Sequence, residues 1–137
     1  MCLSPLYHSA PLRFATGTLL AGGDVVVVVP GPFDPAAVTE AIVRHRPATM
    51  FCVPAHLQRL FGHWDDVGVP DLPSFRLVAH AGAACAPQVK HQLIELFPPG
   101  VTWEFYGSTE GQFTACRSEE WLNRPGNVGR ARPGRRL

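Results

Sequence analysis

The chain has 137 residues, a formal net charge of +1, 46% hydrophobic residues and 17% charged residues. That length suits one domain, and the composition is apolar enough for a packed core and against disorder. So small a net charge argues against nucleic acid or an acidic membrane surface as a partner.

The four cysteines, Cys2, Cys52, Cys85 and Cys116, are widely spaced and form no C-x-x-C pair. This disfavours a zinc site and a disulfide framework and suits a reducing, cytoplasmic setting. The start, Met1 to Pro5, lacks the basic segment and apolar core of a signal peptide. The run Val25 to Val29 is far too short to span a membrane.

In chain order, Pro5-Leu6-Tyr7-His8-Ser9-Ala10-Pro11 is a polar turn bracketed by prolines. Leu12 to Leu20 is expected to form a short helix that ends before Gly22-Gly23. Thr16-Gly17-Thr18 hints at a phosphate loop, but Leu19 and Leu20 stand where glycine and lysine are needed. Val25 to Val29 is β-branched and without alternation, the pattern of a strand buried on both faces.

Asp34-Pro35 reads as a helix start, with Asp34 as N-cap and Pro35 in the first turn. Val38, Ala41, Ile42 and His45 then share a face, Glu40 and Arg44 can pair at i,i+4, and Pro47 stops the helix. Ala48 to Val53 reads as a second strand, and Leu57, Leu60, Phe61 and Trp64 as the apolar stripe of a second helix. Phe75 to His80 is a third strand that breaks into the small residues Ala81-Gly82-Ala83-Ala84-Cys85. Pro87 starts another helix with Val89, Leu93, Leu96 and Phe97 inward, ended by Pro98-Pro99-Gly100.

Val101 to Phe105 is the fourth strand, followed by a turn at Tyr106-Gly107-Ser108-Thr109-Glu110-Gly111 and a short strand over Phe113 to Cys116. From Ser118 onward the chain reads as loop, and Arg130, Arg132, Arg135 and Arg136 as a solvated face. Strands alternating with helices imply βαβ units, an α/β fold and a mostly parallel sheet.

In open α/β sheets, ligands bind at the carboxyl ends of strands. The turn after Phe105 concentrates a flat ring, two hydroxyls, a carboxylate and two glycines, the groups a Mg-nucleotide site needs. The same residues also suit an ordinary loop, or a helix start with Ser108 or Thr109 as cap. Ala81 to Ala84 ends the preceding strand; its small residues suit either a flat ring lying on backbone or tight helix–strand packing. His8 fits a structural role as readily as a catalytic one. No G-x-S-x-G elbow, G-x-G-x-x-G loop or H-E-x-x-H pair exists in the chain.

Tyr106-Gly107-Ser108-Thr109-Glu110-Gly111 resembles the tyrosine-glycine-x-threonine-glutamate motif of the adenylate-forming (AMP-binding) superfamily, which includes acyl-CoA synthetases, luciferases and peptide-synthetase adenylation domains. Further matches come in family order. Pro5-Leu6-Tyr7-His8 resembles the proline-aromatic-histidine motif near the acyl pocket. Phe33-Asp34-Pro35 and Val53-Pro54-Ala55-His56-Leu57 resemble the segment that ends in a valine-proline strand end. Ala81-Gly82-Ala83-Ala84 resembles the Gly-Gly-Ala-Pro adenine loop, with Ala81 and Ala84 departing from it. Glu119-Glu120-Trp121 and Pro125-Gly126-Asn127-Val128-Gly129-Arg130 resemble the later glycine-valine-glycine turn.

The resemblance implies ATP-dependent activation of a carboxylic acid to an acyl-adenylate, then transfer to CoA, with Mg²⁺ held by Glu110. It implies Thr109 at a phosphate oxygen and His8 beside the acyl carboxylate. Tyr106 would stack on adenine, and Glu104 would lie near the adenine edge. Gly82, Ala83, Ala84, Phe105, Gly107 and Ser108 would complete the nucleotide and acyl walls. A fatty or lipid-like acid is expected, because Pro5 to Ser9 and Ala79 to Cys85 offer no charge for an amino-acid ammonium.

The resemblance also makes residues 1–137 one incomplete domain, a part of the family's large N-terminal domain. The family's phosphate loop, its ribose motif and its small C-terminal domain are expected elsewhere in a longer enzyme. The chain alone is then expected to be inactive and to expose apolar edges. The alternatives are a non-catalytic remnant that binds nucleotide or a partner chain, and an unrelated α/β domain.

Overall fold

A computed structural model describes residues 1–28 and 31–134. Three of the helices begin with proline in the first turn, at Pro35, Pro54 and Pro87, where its fixed φ is favourable. Helix α1 spans Ser9–Leu20, three residues earlier than the apolar pattern suggests, with His8 as its N-cap. Helix α2 spans Pro35–His45, and Asp34 Oδ1 accepts the Ala36 N–H at 2.9 Å, the expected cap. Its exposed face carries the Glu40–Arg44 pair at 2.5 Å. Val38 and Ile42 point inward, whereas His45 is exposed. The chain leaves α2 through Arg46 in the left-handed conformation (φ 45°). Pro47 follows directly and could not continue the helix.

Strand β1 (Thr49–Cys52) leads into helix α3 (Pro54–Val67), strand β2 (Leu77–His80) into helix α4 (Pro87–Leu96), and α4 into strand β3 (Thr102–Ser108). Strands β1, β2 and β3 are parallel neighbours. The α/β architecture is as expected, with antiparallel strands added after the parallel ones. Strand β4 (Gly111–Arg117) returns antiparallel from β3, and β5 (Arg130–Ala131) pairs antiparallel with β4. The result is a mixed five-stranded sheet in the order β1-β2-β3-β4-β5. Ser118–Asn123 forms helix α5 rather than loop.

Val25 to Val28, the described part of the valine run, does not form the expected strand. Within Val25 to Val28 there is a single bridge, Val27 to Cys2, and Val27 is exposed. Cys2 stands between this segment and Phe51, so the amino-terminal residues take the place next to β1. Val29, Arg135 and Arg136 lie outside the described residues.

The period-2 alternation of the strands divides the sheet into two faces. Met50, Cys52 and Val78 point toward α2, α3 and α4, where they meet Val38, Ile42, Leu57, Leu60, Phe61, Trp64 and Leu93. This is the main core. Phe75 and Phe97 close it with an edge-on contact at 5.2 Å, and the Trp64 indole donates to Thr39 Oγ1 at 2.9 Å. On the opposite face Phe51, Leu77, Ala79 and Phe105 form a smaller cluster with Cys2, Ala81 and Phe14 of α1 among the described residues. That second face is thinly covered, and this leaves room for a cleft. No helix among the described residues is long and apolar enough to cross a membrane.

Candidate functional site

The carboxyl ends of β2 and β3 lie side by side, with His80 opposite Glu104 in the parallel register. The loop after β2 and the end of β3 therefore open onto one cleft of about 650 Å³. Its floor is apolar, with Phe51, Leu77, Ala79 and Phe105 from the sheet and Phe14 from α1. Its mouth is polar, with His8, Ser9, Gly82, Tyr106, Ser108, Thr109, Gln112, Arg13 and Arg132.

The motif is not a loop between strand and helix. Tyr106, Gly107 and Ser108 continue β3, Thr109-Glu110 is a two-residue turn, and Gly111 opens β4 opposite Ser108. The register shifts between Tyr106 and Gly107, a bulge that re-aims the strand end beside the cleft. Gly107 serves the hairpin itself. A Cβ at this position would lie 2.5 Å from the Gly111 carbonyl oxygen and 2.9 Å from Gln112 Cα.

Tyr106 keeps 52% of its surface exposed, with its ring 6.2 Å from Phe113. That leaves a ring face open for stacking. The Ser108 hydroxyl donates to Glu110 Oε2, and this contact holds the Glu110 carboxyl below the usual carboxylate range. Glu110 is thus an exposed carboxylate, ionised at neutral pH, at the tip of the turn. A single carboxylate fits Mg²⁺ when phosphate oxygens and water supply the other ligands. Among the described residues no group of three His, Cys, Asp or Glu side chains could hold a metal alone.

Of the residues expected at the site, His8, Gly82, Phe105, Tyr106, Gly107, Ser108 and Thr109 line the cleft. Gly82 adopts φ +91°, a conformation that favours glycine at that bend. His8 is exposed, and its ring lies 4.5 Å from that of Tyr7. Ala83 and Ala84 are exposed and stand outside the cleft wall, as does Glu110 at the turn tip.

Glu104 departs from its expected place near a nucleotide edge. Strand alternation turns it to the opposite face, where it is 7% exposed and pairs with Lys90 of α4 at 2.8 Å. Lys90 Nζ also lies 2.7 Å from His80 Nε2. Burial first, and the Lys90 charge second, depress the His80 pKa to about 3. His80 is therefore neutral, and its Nε2 accepts from the ammonium.

Sequence reasoning missed Arg13, Phe14, Phe51, Leu77, Gln112 and Arg132 as cleft residues. Phe51 and Leu77 carry a signal in hindsight: each sits on the face of its strand opposite its buried neighbours. Arg132 is exposed, as expected of a solvated face, and also lines the cleft because β5 folds back along β4. Its backbone N–H donates to the Phe113 carbonyl at 2.9 Å.

Comparison with known proteins identifies the family and the fold. The family model described as AMP-binding enzyme matches residues 1–137. The chain is 31% identical over 112 residues to the medium-chain acyl-CoA ligase Mig of Mycobacterium avium, covering 80% of this chain and 20% of that protein. It is 28% identical over 132 residues to 4-coumarate–CoA ligase-like 8 of Arabidopsis thaliana, covering 94% of this chain and 24% of that one. The chain thus spans a fifth to a quarter of the curated relatives it matches. Among solved structures, a mutant of the amide bond synthetase McbA from Marinactinospora thermotolerans superposes with a TM-score of 0.80 at 31% identity, over 96% of this chain and 27% of that one. The N-terminal domain of FACL13 from Mycobacterium tuberculosis gives 0.79 at 26% identity, over 95% of this chain and 32% of that one. By sequence motif, fold and family match together, the chain belongs to the AMP-binding enzymes, the adenylate-forming superfamily.

Proposed function

We propose that this chain supplies part of the acid and nucleotide site of an enzyme that activates a carboxylic acid with ATP and passes the acyl group to CoA. The observation that carries this reading is the meeting of the Gly82 loop and the Tyr106–Thr109 segment in one cleft at the ends of adjacent parallel strands.

In the first step a carboxylate oxygen attacks the α-phosphorus of ATP. The bond to the bridging oxygen breaks and pyrophosphate leaves. In the second, the CoA thiolate attacks the acyl carbon, the mixed-anhydride C–O bond breaks, and AMP leaves. Tyr106 stacks on adenine, Gly82 lets the base lie close to backbone, and the Thr109 hydroxyl donates to a phosphate oxygen. His8 flanks the carboxylate. Glu110 would help hold Mg²⁺ beside the phosphates, and the ion would supply positive charge to offset theirs.

The apolar floor of Phe14, Phe51, Leu77 and Phe105 supports an acid with a lipid-like or aryl body. The medium-chain and 4-coumarate names of the two curated relatives are compatible with either. CoA as the acceptor rests on those same names.

The test is carboxylate-dependent ATP–pyrophosphate exchange by the full-length enzyme, with a panel of medium-chain, long-chain and aromatic acids, followed by CoA thioester formation. Exchange that falls at least a hundredfold in Glu110→Gln supports the reading. Exchange that needs no acid, or that ignores Glu110→Gln, overturns it.

A further inference from the structure

Two arginines flank the mouth of the cleft from different parts of the chain. Arg13 comes from the second turn of α1, and its Nη2 donates to the Thr109 carbonyl oxygen at 3.1 Å. Arg132 follows β5, and its Nη1 donates to Gln112 Oε1. Together with Gln112 and Pro133 they line a hollow of about 390 Å³. Arg13, Gln112 and Arg132 also line the large cleft, so the two spaces adjoin.

Among the described residues the hydrogen-bond partners of these guanidinium groups are uncharged, the Thr109 carbonyl and the Gln112 amide oxygen. One arm of each fork is occupied by an amide or carbonyl oxygen, which orients the group without neutralising it. Among the described residues the ion pairs are Arg44–Glu40 and Lys90–Glu104, and neither involves Arg13 or Arg132. The Glu110 carboxylate is engaged by Ser108. Two oriented positive charges beside backbone and hydroxyl groups form a receptor for an anion with several oxygens. Planar guanidinium forks bind phosphate in the same way.

We infer that Arg13 and Arg132 form a polyphosphate-binding site at the mouth of the cleft. This rests on the proposed nucleotide reading for its direction: a base against Tyr106 and Gly82 would extend its phosphates past Thr109 toward the arginines. The anchor on the Thr109 carbonyl gives Arg13 a further consequence. An anion drawn to Arg13 pulls on the turn that carries Thr109 and Glu110, so phosphate binding and turn position are coupled.

The experiment is calorimetric titration of the full-length enzyme, and of its Arg13→Gln, Arg132→Gln and double variants, with adenosine, AMP, ATP and inorganic tripolyphosphate at low and moderate salt. The expected result is a loss of about tenfold in ATP and tripolyphosphate affinity for each arginine removed. Adenosine affinity should stay within twofold, and the double variant should show a shallower salt dependence. Unchanged ATP and tripolyphosphate affinity in the double variant overturns the inference, as does a wild-type enzyme that binds neither. Tripolyphosphate binding that needs the arginines, without any adenosine binding, upholds the anion site and refutes the nucleotide reading instead.

Discussion

Lys90 Nζ and Glu104 Oε2 lie 2.8 Å apart with the lysine fully buried, so α4 is joined to β3 by an ion pair inside the core. The pair sits two residues before Tyr106, on the face of the sheet away from the cleft. His80 and the face of Trp121, 5.9 Å from Nζ, complete the surroundings of the ammonium. A buried charge that loses its partner is far more costly than the pair is worth. Lys90→Met alone is therefore expected to destabilise the fold by about 3–5 kcal/mol, and Lys90→Met with Glu104→Leu to recover most of that loss. Urea unfolding of the single and double variants measures both, and a single variant as stable as the parent would refute the account.

His80 makes stability depend on pH. In the unfolded chain it titrates near its ordinary value of about 6.5; in the fold its pKa is about 3. Above pH 6.5 both states are neutral and pH has no effect through this group. Between about 6.5 and 3 the unfolded state binds a proton that the folded state does not, so stability falls as pH falls. The slope is about 1.4 kcal/mol per pH unit well inside that window. Denaturation midpoints at pH 7.5 and 5.0 should show this decline, and His80→Gln should flatten it.

Gly107 is expected to tolerate no side chain. The Cβ of Gly107→Ala would meet backbone of β4 at 2.5 Å, and backbone has no rotamer to move away. The β3–β4 hairpin must open or shift, at a cost of about 1–3 kcal/mol. Hydrogen exchange should show faster opening of amides in 102–117, with α2 and α3 unaffected. Uniform protection across the whole variant would contradict this.

Tyr106 offers the opposite case. Its ring is half exposed, so Tyr106→Ala should change stability by less than about 1 kcal/mol. If the ring stacks on a base, the same change should weaken AMP binding by about 1–3 kcal/mol. Affinity and unfolding measured on one preparation separate the two. A variant that binds AMP as well as the parent would remove Tyr106 from the site.

Local signals were sufficient for α2, α3, α4 and the parallel strands, but not for α5, which reads as loop, or for the start of α1. Asp34-Pro35 starts α2, the stripe Leu57, Leu60, Phe61 and Trp64 is the buried face of α3, and Pro87 starts α4. Each depends on contacts within a few residues or on a period the chain displays directly. The motif Tyr106 to Gly111 stood out by its concentration of chemistry, and Tyr106 to Thr109 with Gly111 line the cleft. Its neighbouring small-residue loop at Gly82 was legible by its place at a strand end.

Non-local pairing decided the rest. Val25 to Val28 has a strong strand composition yet forms only one bridge, because Cys2 takes the place next to β1. Arg130-Ala131 carries no strand signal yet pairs with β4, because the turn at Gly129 brings it there; a Cβ on Gly129 would lie 2.0 Å from the Ala115 carbonyl oxygen. Side-chain direction shows the same division. Residues 104 and 105 are adjacent in the strand before the motif, but strand alternation sends Glu104 to Lys90 and Phe105 to the cleft. Composition and motif order settle which family of folds the chain enters. Which side chains share the cleft is set by sheet register and by the return of β5, contacts between residues up to about a hundred positions apart, such as Arg13 with Thr109.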